Sequence, residues 1–240
     1  MNIAKTGSNL SIVVPFYNEE ESLSHVVDEL LEILPGAELI LVDDGSSDET
    51  WKQILAYGPS VKGVQLLQNC GQSGALFAGL RYVTRPLCGM MDGDGQNDPR
   101  DFLPLIEKLE QGAGDLICGV RANRKDTWNR RIASRIANRI RSRLLGDSST
   151  DTGCSLKVFR SKHAHLILPF NGLHRFLPTL FERAGYRMHE IPVNHRPRER
   201  GMSKYSIGGR AIRGIYDLVG VAWLIKRRVI VPEVEVSWTP

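Results

Sequence analysis

No apolar run in this chain approaches the roughly 18 residues that a membrane-spanning helix needs, so no spanning segment is expected. Met1 to Asn9 is polar and has none of the apolar stretch of a secretory leader. The four cysteines (Cys70, Cys88, Cys118 and Cys154) are scattered, and no pair has zinc or redox-motif spacing. A reduced, cytosolic compartment is therefore expected. There is no Walker phosphate loop, and Gly71-Gln72-Ser73-Gly74 is not a dinucleotide fingerprint. No nucleophile elbow is present, which speaks against a Ser-His-Asp hydrolase. His163, His165, His174, His189 and His195 form no spaced metal set and are read as surface or core histidines. Internal repeats and low-complexity tracts are absent as well.

What remains is an ordinary globular composition, 42% hydrophobic and 24% charged, over 240 residues. That length suits one large domain or one domain with an appendage. The net charge of +4 is unevenly spread. From Arg121 to Arg143 there are eight Arg and one Lys against a single acid, Asp126. A block this basic faces nucleic acid, phospholipid head groups or a phosphorylated substrate, unless it is simply a solvated helix face.

Hydrophobic periodicity alternates strands with helices. Buried strands are expected at Leu10 to Phe16, Glu38 to Val42, Val61 to Leu67, Leu87 to Met91 and Asp115 to Val120. Helices are expected from an Asn18–Glu21 capping box to Leu34, up to Leu55, over Ala75 to Val83, and over Pro99 to Gln111. Strands joined by helices imply a parallel sheet. Beyond Arg121 the alternation breaks. A basic amphipathic helix (Thr127 to Leu145) and a short strand (Leu156 to Phe159) come next, then a short helix capped by Ser161. A helix (Arg175 to Ala184), a strand (Tyr186 to His195), a charged loop to Tyr205 and a last helix (Ile207 to Ile225) complete the order.

The organising stretch is Cys88 to Pro99, an apolar run that ends in Asp92-Gly-Asp94-Gly-Gln96. Residues i and i+2 of a strand point the same way, so both carboxylates can converge with Gln96 beside them. In open α/β sheets that end of a strand is where ligands bind. Such hard oxygens suit Mg²⁺ or Mn²⁺, completed by substrate phosphates. An Asx turn capping a helix is the other reading of the same residues. A calcium loop fails, because its sixth position would be Asn97 and its twelfth Leu103.

Five motifs occur in order: Pro15-Phe-Tyr-Asn-Glu19, Val42-Asp-Asp-Gly-Ser-Ser-Asp-Glu-Thr50, Asn69-Cys-Gly-Gln-Ser-Gly-Ala75, Asp92 to Pro99, and Arg198-Glu-Arg-Gly-Met-Ser-Lys-Tyr205. Together they resemble the family 2 inverting glycosyltransferases, in particular those that act on polyprenyl phosphates, over residues 10 to 228. The resemblance implies a glycosyltransferase-A fold, a Rossmann-like, mostly parallel sheet flanked by helices. It implies a UDP- or GDP-linked sugar donor, a polyprenyl phosphate acceptor such as undecaprenyl or dolichyl phosphate, and Mg²⁺ or Mn²⁺. By the same match, Pro15, Tyr17, Glu19, Asp44 and Gln72 hold the donor. Asp92, Asp94 and Gln96 form the metal and diphosphate site. Arg121, Asp151, Arg198, Ser203 and Lys204 line the sugar and acceptor-phosphate side, with Asp151 either orienting the acceptor or capping the strand after it.

Two departures stand out. Gly93 and Gly95 are expected to loosen the metal loop, and only a short amphipathic segment stands where many relatives have spanning helices. The expected organisation is a catalytic domain over residues 1–205 and a membrane-interfacial segment over 206–240. The enzyme would sit on the cytoplasmic face of an anionic membrane, with a second copy or an integral-membrane protein as possible partner. An aspartyl-phosphate phosphatase is disfavoured by Gln96. A nucleic-acid-binding module is disfavoured by the lack of aromatics interleaved in the basic block beyond Trp128.

Overall fold

The structure, a computed structural model, describes residues 7–121, 138–197 and 207–229, the last segment by its backbone alone up to residue 213. In chain order the elements are β1 (Leu10–Phe16), α1 (Leu23–Ile33), β2 (Glu38–Asp43), α2 (Thr50–Ala56), β3 (Lys62–Gln65), α3 (Gly71–Leu80), β4 (Leu87–Met90) and α4 (Phe102–Glu110). There follow β5 (Leu116–Arg121), α5 over 138–145, β6 (Lys157–Arg160), α6 (Leu173–Arg183), β7 (Met188–Val193) and α7 (Ile207–Arg227).

The strands form one seven-stranded sheet in the order β3-β2-β1-β4-β6-β5-β7. Every neighbouring pair is parallel except those of β6, which runs antiparallel to both β4 and β5. Strands buried on both faces read as continuous apolar runs, which is why β1 shows no polar alternation. Leu10, Ile12, Val14 and Phe16 point to one layer, where they meet Val26 and Leu30 of α1 and Phe102 and Leu105 of α4. Val13, with Ile40 and Val42 of β2, points to the opposite layer of α3 and α6, where Leu76, Leu177 and Phe181 pack. Phe102 is fully buried, and truncating such a ring to Ala costs about 3–5 kcal/mol.

The parallel half places the ends of β1, β2, β3 and β4 along one edge, as the alternation requires. Several local expectations are corrected. Asn18 does not cap α1: it sits in a left-handed conformation (φ 49°), its Oδ1 accepts from Ser47 N at 2.7 Å, and the helix starts at Leu23. α3 begins at Gly71, not Ala75, because a carboxylate from the end of β2 caps it from outside. β3 is shorter than its apolar run and lies at the sheet edge, where only Val64 is half-buried. Pro178 lies in the middle of α6, since that helix starts earlier, at Leu173. Ser161 does not cap; its Oγ donates to Arg85 O at 2.6 Å. Most of the basic block and of the Thr127 to Leu145 helix lies outside the described residues; 138–145 is helical.

Candidate active site

The turn after β1 and the turn after β2 are stitched together. Asn18 N donates to Ser46 Oγ at 2.8 Å and Glu19 N to Thr50 Oγ1 at 3.0 Å. This leaves Tyr17 exposed on the rim, with Glu19 Oε2 accepting from Ser22 Oγ at 3.0 Å. Asp44 is buried at 2% exposure and accepts from Asn69 Nδ2 at 2.9 Å and Cys70 N at 2.8 Å. It supplies the cap that α3 lacks in its own sequence, and burial pushes its carboxyl above the usual range.

That cap fixes the first turn of α3, which reaches the metal loop. Gln72 Nε2 donates to Asp92 Oδ1 at 2.5 Å. Its neighbour Ser73 is held from α6, accepting from Gly172 N at 2.9 Å and pairing with His174 Nδ1 at 3.1 Å. Burial lowers the His174 pKa to about 3, helped by Arg175 and Lys157, so the ring stays neutral.

Asp92 and Asp94 do share one cleft, together with Gln96, Arg121, Ser155 and His195. Burial, and then the Asp94 charge, push the Asp92 carboxyl up to about 6, against the opposing pull of Ser155, Lys157 and Gln72. Two carboxylates in a partly dry cleft are what a divalent cation would compensate. Among the described residues no three His, Cys, Asp or Glu side chains converge to hold a metal. A bound ion fits with Asp92 and Asp94, Gln96 beside them, and substrate oxygens completing its shell, an arrangement Mg²⁺ and Mn²⁺ accept. The site's donor set fits such an ion.

The loop is not loosened by its glycines. A Cβ on Gly93 would lie 2.5 Å from the Phe16 ring and 2.8 Å from Pro15 O. Ser22 Oγ donates to Gly93 O at 3.1 Å, and Gly95 takes the left-handed turn (φ 75°) that a side chain would strain. Gly93 thus lets the loop pack tightly between β1 and α1.

Arg121 and Asp151 form one unit. Arg121 N, Nε and Nη2 donate to the Asp151 carboxylate at 3.2, 2.8 and 2.7 Å. Asp151 is 7% exposed, and its carboxylate braces the Arg121 guanidinium. Its loop is anchored by Glu190, which accepts from Thr150 N at 2.7 Å and Ser149 Oγ at 2.8 Å.

Of the residues picked from sequence, Asp92, Asp94, Gln96 and Arg121 come together in the cleft, with Gln72 and Asp151 in contact behind them. Pro15, Tyr17, Glu19 and Asp44 lie along the β1–β2 side of the same edge and do not line this cleft. Arg198, Ser203 and Lys204 lie outside the described residues. Sequence reasoning missed Ser155, whose Oγ accepts from Asp92 N at 3.3 Å and donates to Asn97 Oδ1 at 2.9 Å. It also set His195 aside. The one available signal was that His195 stands three residues before Arg198.

Known proteins bear on this geometry. The family model described as "Glycosyl transferase family 2" matches residues 11–167. The chain is 38% identical over 228 residues to a dodecaprenyl-phosphate galacturonate synthase of Rhizobium johnstonii, covering 90% of this chain and 67% of that protein. It is 37% identical over 228 residues to an undecaprenyl-phosphate 4-deoxy-4-formamido-L-arabinose transferase of Edwardsiella ictaluri, covering 91% and 69%. Among solved structures it is similar to glucosyl-3-phosphoglycerate synthase of Mycobacterium tuberculosis in complex with Mn²⁺, UDP and glucosyl-3-phosphoglycerate. There the TM-score is 0.67 at 21% identity, covering 90% of this chain and 82% of that one. The mostly parallel, helix-flanked sheet is the glycosyltransferase-A fold. A family match over more than half of the sequence, with relatives this similar over most of it, identifies the chain as a glycosyltransferase belonging to glycosyl transferase family 2.

Proposed function

We propose that this enzyme transfers one sugar from a UDP- or GDP-linked donor to a polyprenyl phosphate, with inversion and with help from Mg²⁺ or Mn²⁺. The carrying observation is the cleft that holds the Asp92–Asp94 pair and the Asp151-braced Arg121 together. The relatives' names supply the acceptor class. A divalent ion held by Asp92, Asp94 and Gln96 would neutralise the departing diphosphate.

The acceptor monoester has a second pKa near ~6 by analogy with phosphoserine, so it is mostly dianionic at neutral pH. It needs positioning and charge stabilisation more than a base. Its oxygen forms the bond to the anomeric carbon as the bond to the diphosphate oxygen breaks, and that electron pair leaves with the nucleotide. Arg121 stabilises phosphate charge by its planar fork, Asp151 fixes that fork, and Arg198, Ser203 and Lys204 would complete the acceptor side. Pro15, Tyr17, Glu19 and Asp44 would seat the nucleoside.

The membrane reading draws on α7. Val221, 2% exposed, packs with Leu145 and Phe176, while Ile215, Tyr216, Val219 and Trp223 are exposed. Among the described residues no helix is long and apolar enough to cross a membrane. Residues 206–240 then form an interfacial segment on the cytoplasmic leaflet, next to the catalytic domain of residues 1–205. Nucleic acid is not a partner in this reading.

The test is transfer of labelled sugar from UDP- and GDP-sugars into organic-extractable polyprenyl phosphate. EDTA and Asp94→Asn should each remove most turnover. Full activity in EDTA would contradict the metal role, and no lipid labelling with any donor would contradict the acceptor.

A further inference from the structure

The segment from Asp147 to Asp151 is tied to three elements. Asp147 accepts from Thr179 Oγ1 of α6. Ser148 N and Oγ donate to the Glu182 carboxylate, also of α6, at 2.9 and 2.5 Å. From α5, Arg141 Nη2 donates to Ser149 O, and Asn138 Nδ2 donates to Thr150 O at 2.7 Å. Glu190 of β7 takes the end nearest the cleft. Its Oε1 accepts from Thr150 N at 2.7 Å, Ser149 Oγ at 2.8 Å and Asp151 N at 3.5 Å, and its Oε2 accepts from Thr150 Oγ1 at 2.5 Å.

These bonds close a ring around Arg121. β5 ends in Arg121, and β7 lies beside it in parallel register, with Glu190 opposite Cys118 and Val193 opposite Arg121. Glu190 holds Thr150, and the next residue, Asp151, holds Arg121 by its backbone N–H and by Nε and Nη2 of the fork. The seat has little slack. A Cβ on Gly153 would lie 2.7 Å from Arg121 Nη2, so the segment that carries Asp151 also walls the guanidinium. A shift of residues 150–153 therefore moves the fork, and a planar fork meets phosphate oxygens well only in a narrow range of orientations. A carboxylate that takes donors from three successive residues fixes the register of that segment, which one bond would not do. Thr179, Glu182 and Arg141 attach the segment ahead of Thr150, which keeps it in place when Glu190 is replaced.

We propose that Glu190 is a positioning residue for the acceptor phosphate: it sets the register of Thr150 and Asp151 and, through Asp151, the orientation of the Arg121 guanidinium. This rests on the acceptor reading above, in which Arg121 meets that phosphate.

The experiment compares wild type with Glu190→Gln, Thr150→Val, Glu182→Gln, Asp151→Asn and the double variant Glu190→Gln/Asp151→Asn. KM is measured separately for polyprenyl phosphate and for the nucleotide sugar. Equilibrium dialysis with farnesyl phosphate, a short soluble monoester, gives a reading for slow variants too. Glu190→Gln keeps the size of the side chain and one accepting oxygen. It should raise the polyprenyl phosphate KM and the farnesyl phosphate Kd about tenfold, within the hundredfold that a misplacement far from the chemistry can cost. Thr150→Val removes the Oγ1 bond alone and should raise both by a smaller factor; it reads the same link should Glu190→Gln melt below the assay temperature. Donor KM should stay within about twofold, the split that separates acceptor positioning from a general defect. Glu182→Gln, which loosens the same segment at Ser148, should leave the acceptor constants within about twofold. On the Asp151→Asn background, Glu190→Gln should change farnesyl phosphate binding by less than about twofold, because the residue it acts through is already altered. Unchanged acceptor constants in Glu190→Gln and Thr150→Val overturn the assignment. So does an equal loss in Glu182→Gln, or an equal further loss on the Asp151→Asn background, since either marks general anchoring. Wild type that binds nucleotide sugar but neither labels polyprenyl phosphate nor binds farnesyl phosphate overturns the acceptor reading and this inference with it.

Discussion

Asp92 carries an electrostatic cost in the cleft. Its carboxyl is pushed up to about 6 by burial and by Asp94, so at neutral pH the ionised form weighs against the metal-free fold. The sign follows from linkage: a carboxyl whose folded pKa is raised destabilises above that pKa, and the cost is relieved as pH falls through about 6. A metal needs the ionised form, so its affinity runs the other way. Two outcomes are expected by thermal melting. Asp92→Asn should raise the melting temperature in EDTA at pH 7.5, and the Mn²⁺-induced rise of the wild type should shrink below pH 6. A Mn²⁺ shift that persists unchanged in Asp92→Asn would oppose this assignment. The paired acids were legible in the sequence as two carboxylates one residue apart behind an apolar run, although they meet in the turn past the end of β4 at Met90 and not by alternation within the strand. Ser155 and His195 were not, because they reach the cleft only through a strand reversal and a bridge that no local pattern encodes. Gly93 was misread because its contact, the Phe16 ring, lies far back in the chain.

Single elements show the same division between local pattern and tertiary contact. β1, β2 and β4 were legible as apolar runs with polar ends, and their edge was legible from the βα alternation. The antiparallel entry of β6 was not, since Leu156 to Phe159 reads alike in either direction. Nor was the start of α3, where the capping carboxylate belongs to another loop. Glu38, at the start of β2, ties three neighbours. Lys62 of β3 lies 2.5 Å from its carboxylate, Ser11 of β1 donates at 2.5 Å, and Thr84 before β4 donates at 2.7 and 3.0 Å. Burial raises its carboxyl, but these bonds outweigh it and hold the pKa at about 2. A depressed pKa stabilises above the unfolded value and is lost as pH falls toward the folded one. Glu38→Gln should therefore lower stability at pH 7 by about 1–3 kcal/mol, as for charged hydrogen bonds. It should also flatten the loss of stability between pH 4.5 and about 2. Identical acid-denaturation curves for the two proteins would mean that this tie contributes nothing.

At the scale of the whole molecule, α7 puts Ile215, Tyr216, Val219 and Trp223 on its exposed side and ends in Lys226 and Arg227. On the proposed reading this helix lies in the membrane interface, where each basic residue would add about 1 kcal/mol near anionic lipid. Co-sedimentation with anionic vesicles should fall with salt and fall again in Val219→Glu/Trp223→Glu; equal recovery in the soluble fraction with and without anionic vesicles would contradict it and favour a protein partner for this face. The reaction itself offers the sharpest test. A single in-line displacement by a phosphate that is already a nucleophile needs no enzyme-bound glycosyl intermediate, and it inverts the anomeric centre. The product of an α-linked nucleotide sugar, undecaprenyl phosphate and Mn²⁺ should be characterised by mass and by proton coupling at the anomeric carbon. A β-linked polyprenyl phosphosugar is the predicted result; an α-linked product, or a glycosyl adduct trapped on Asp151, would contradict it.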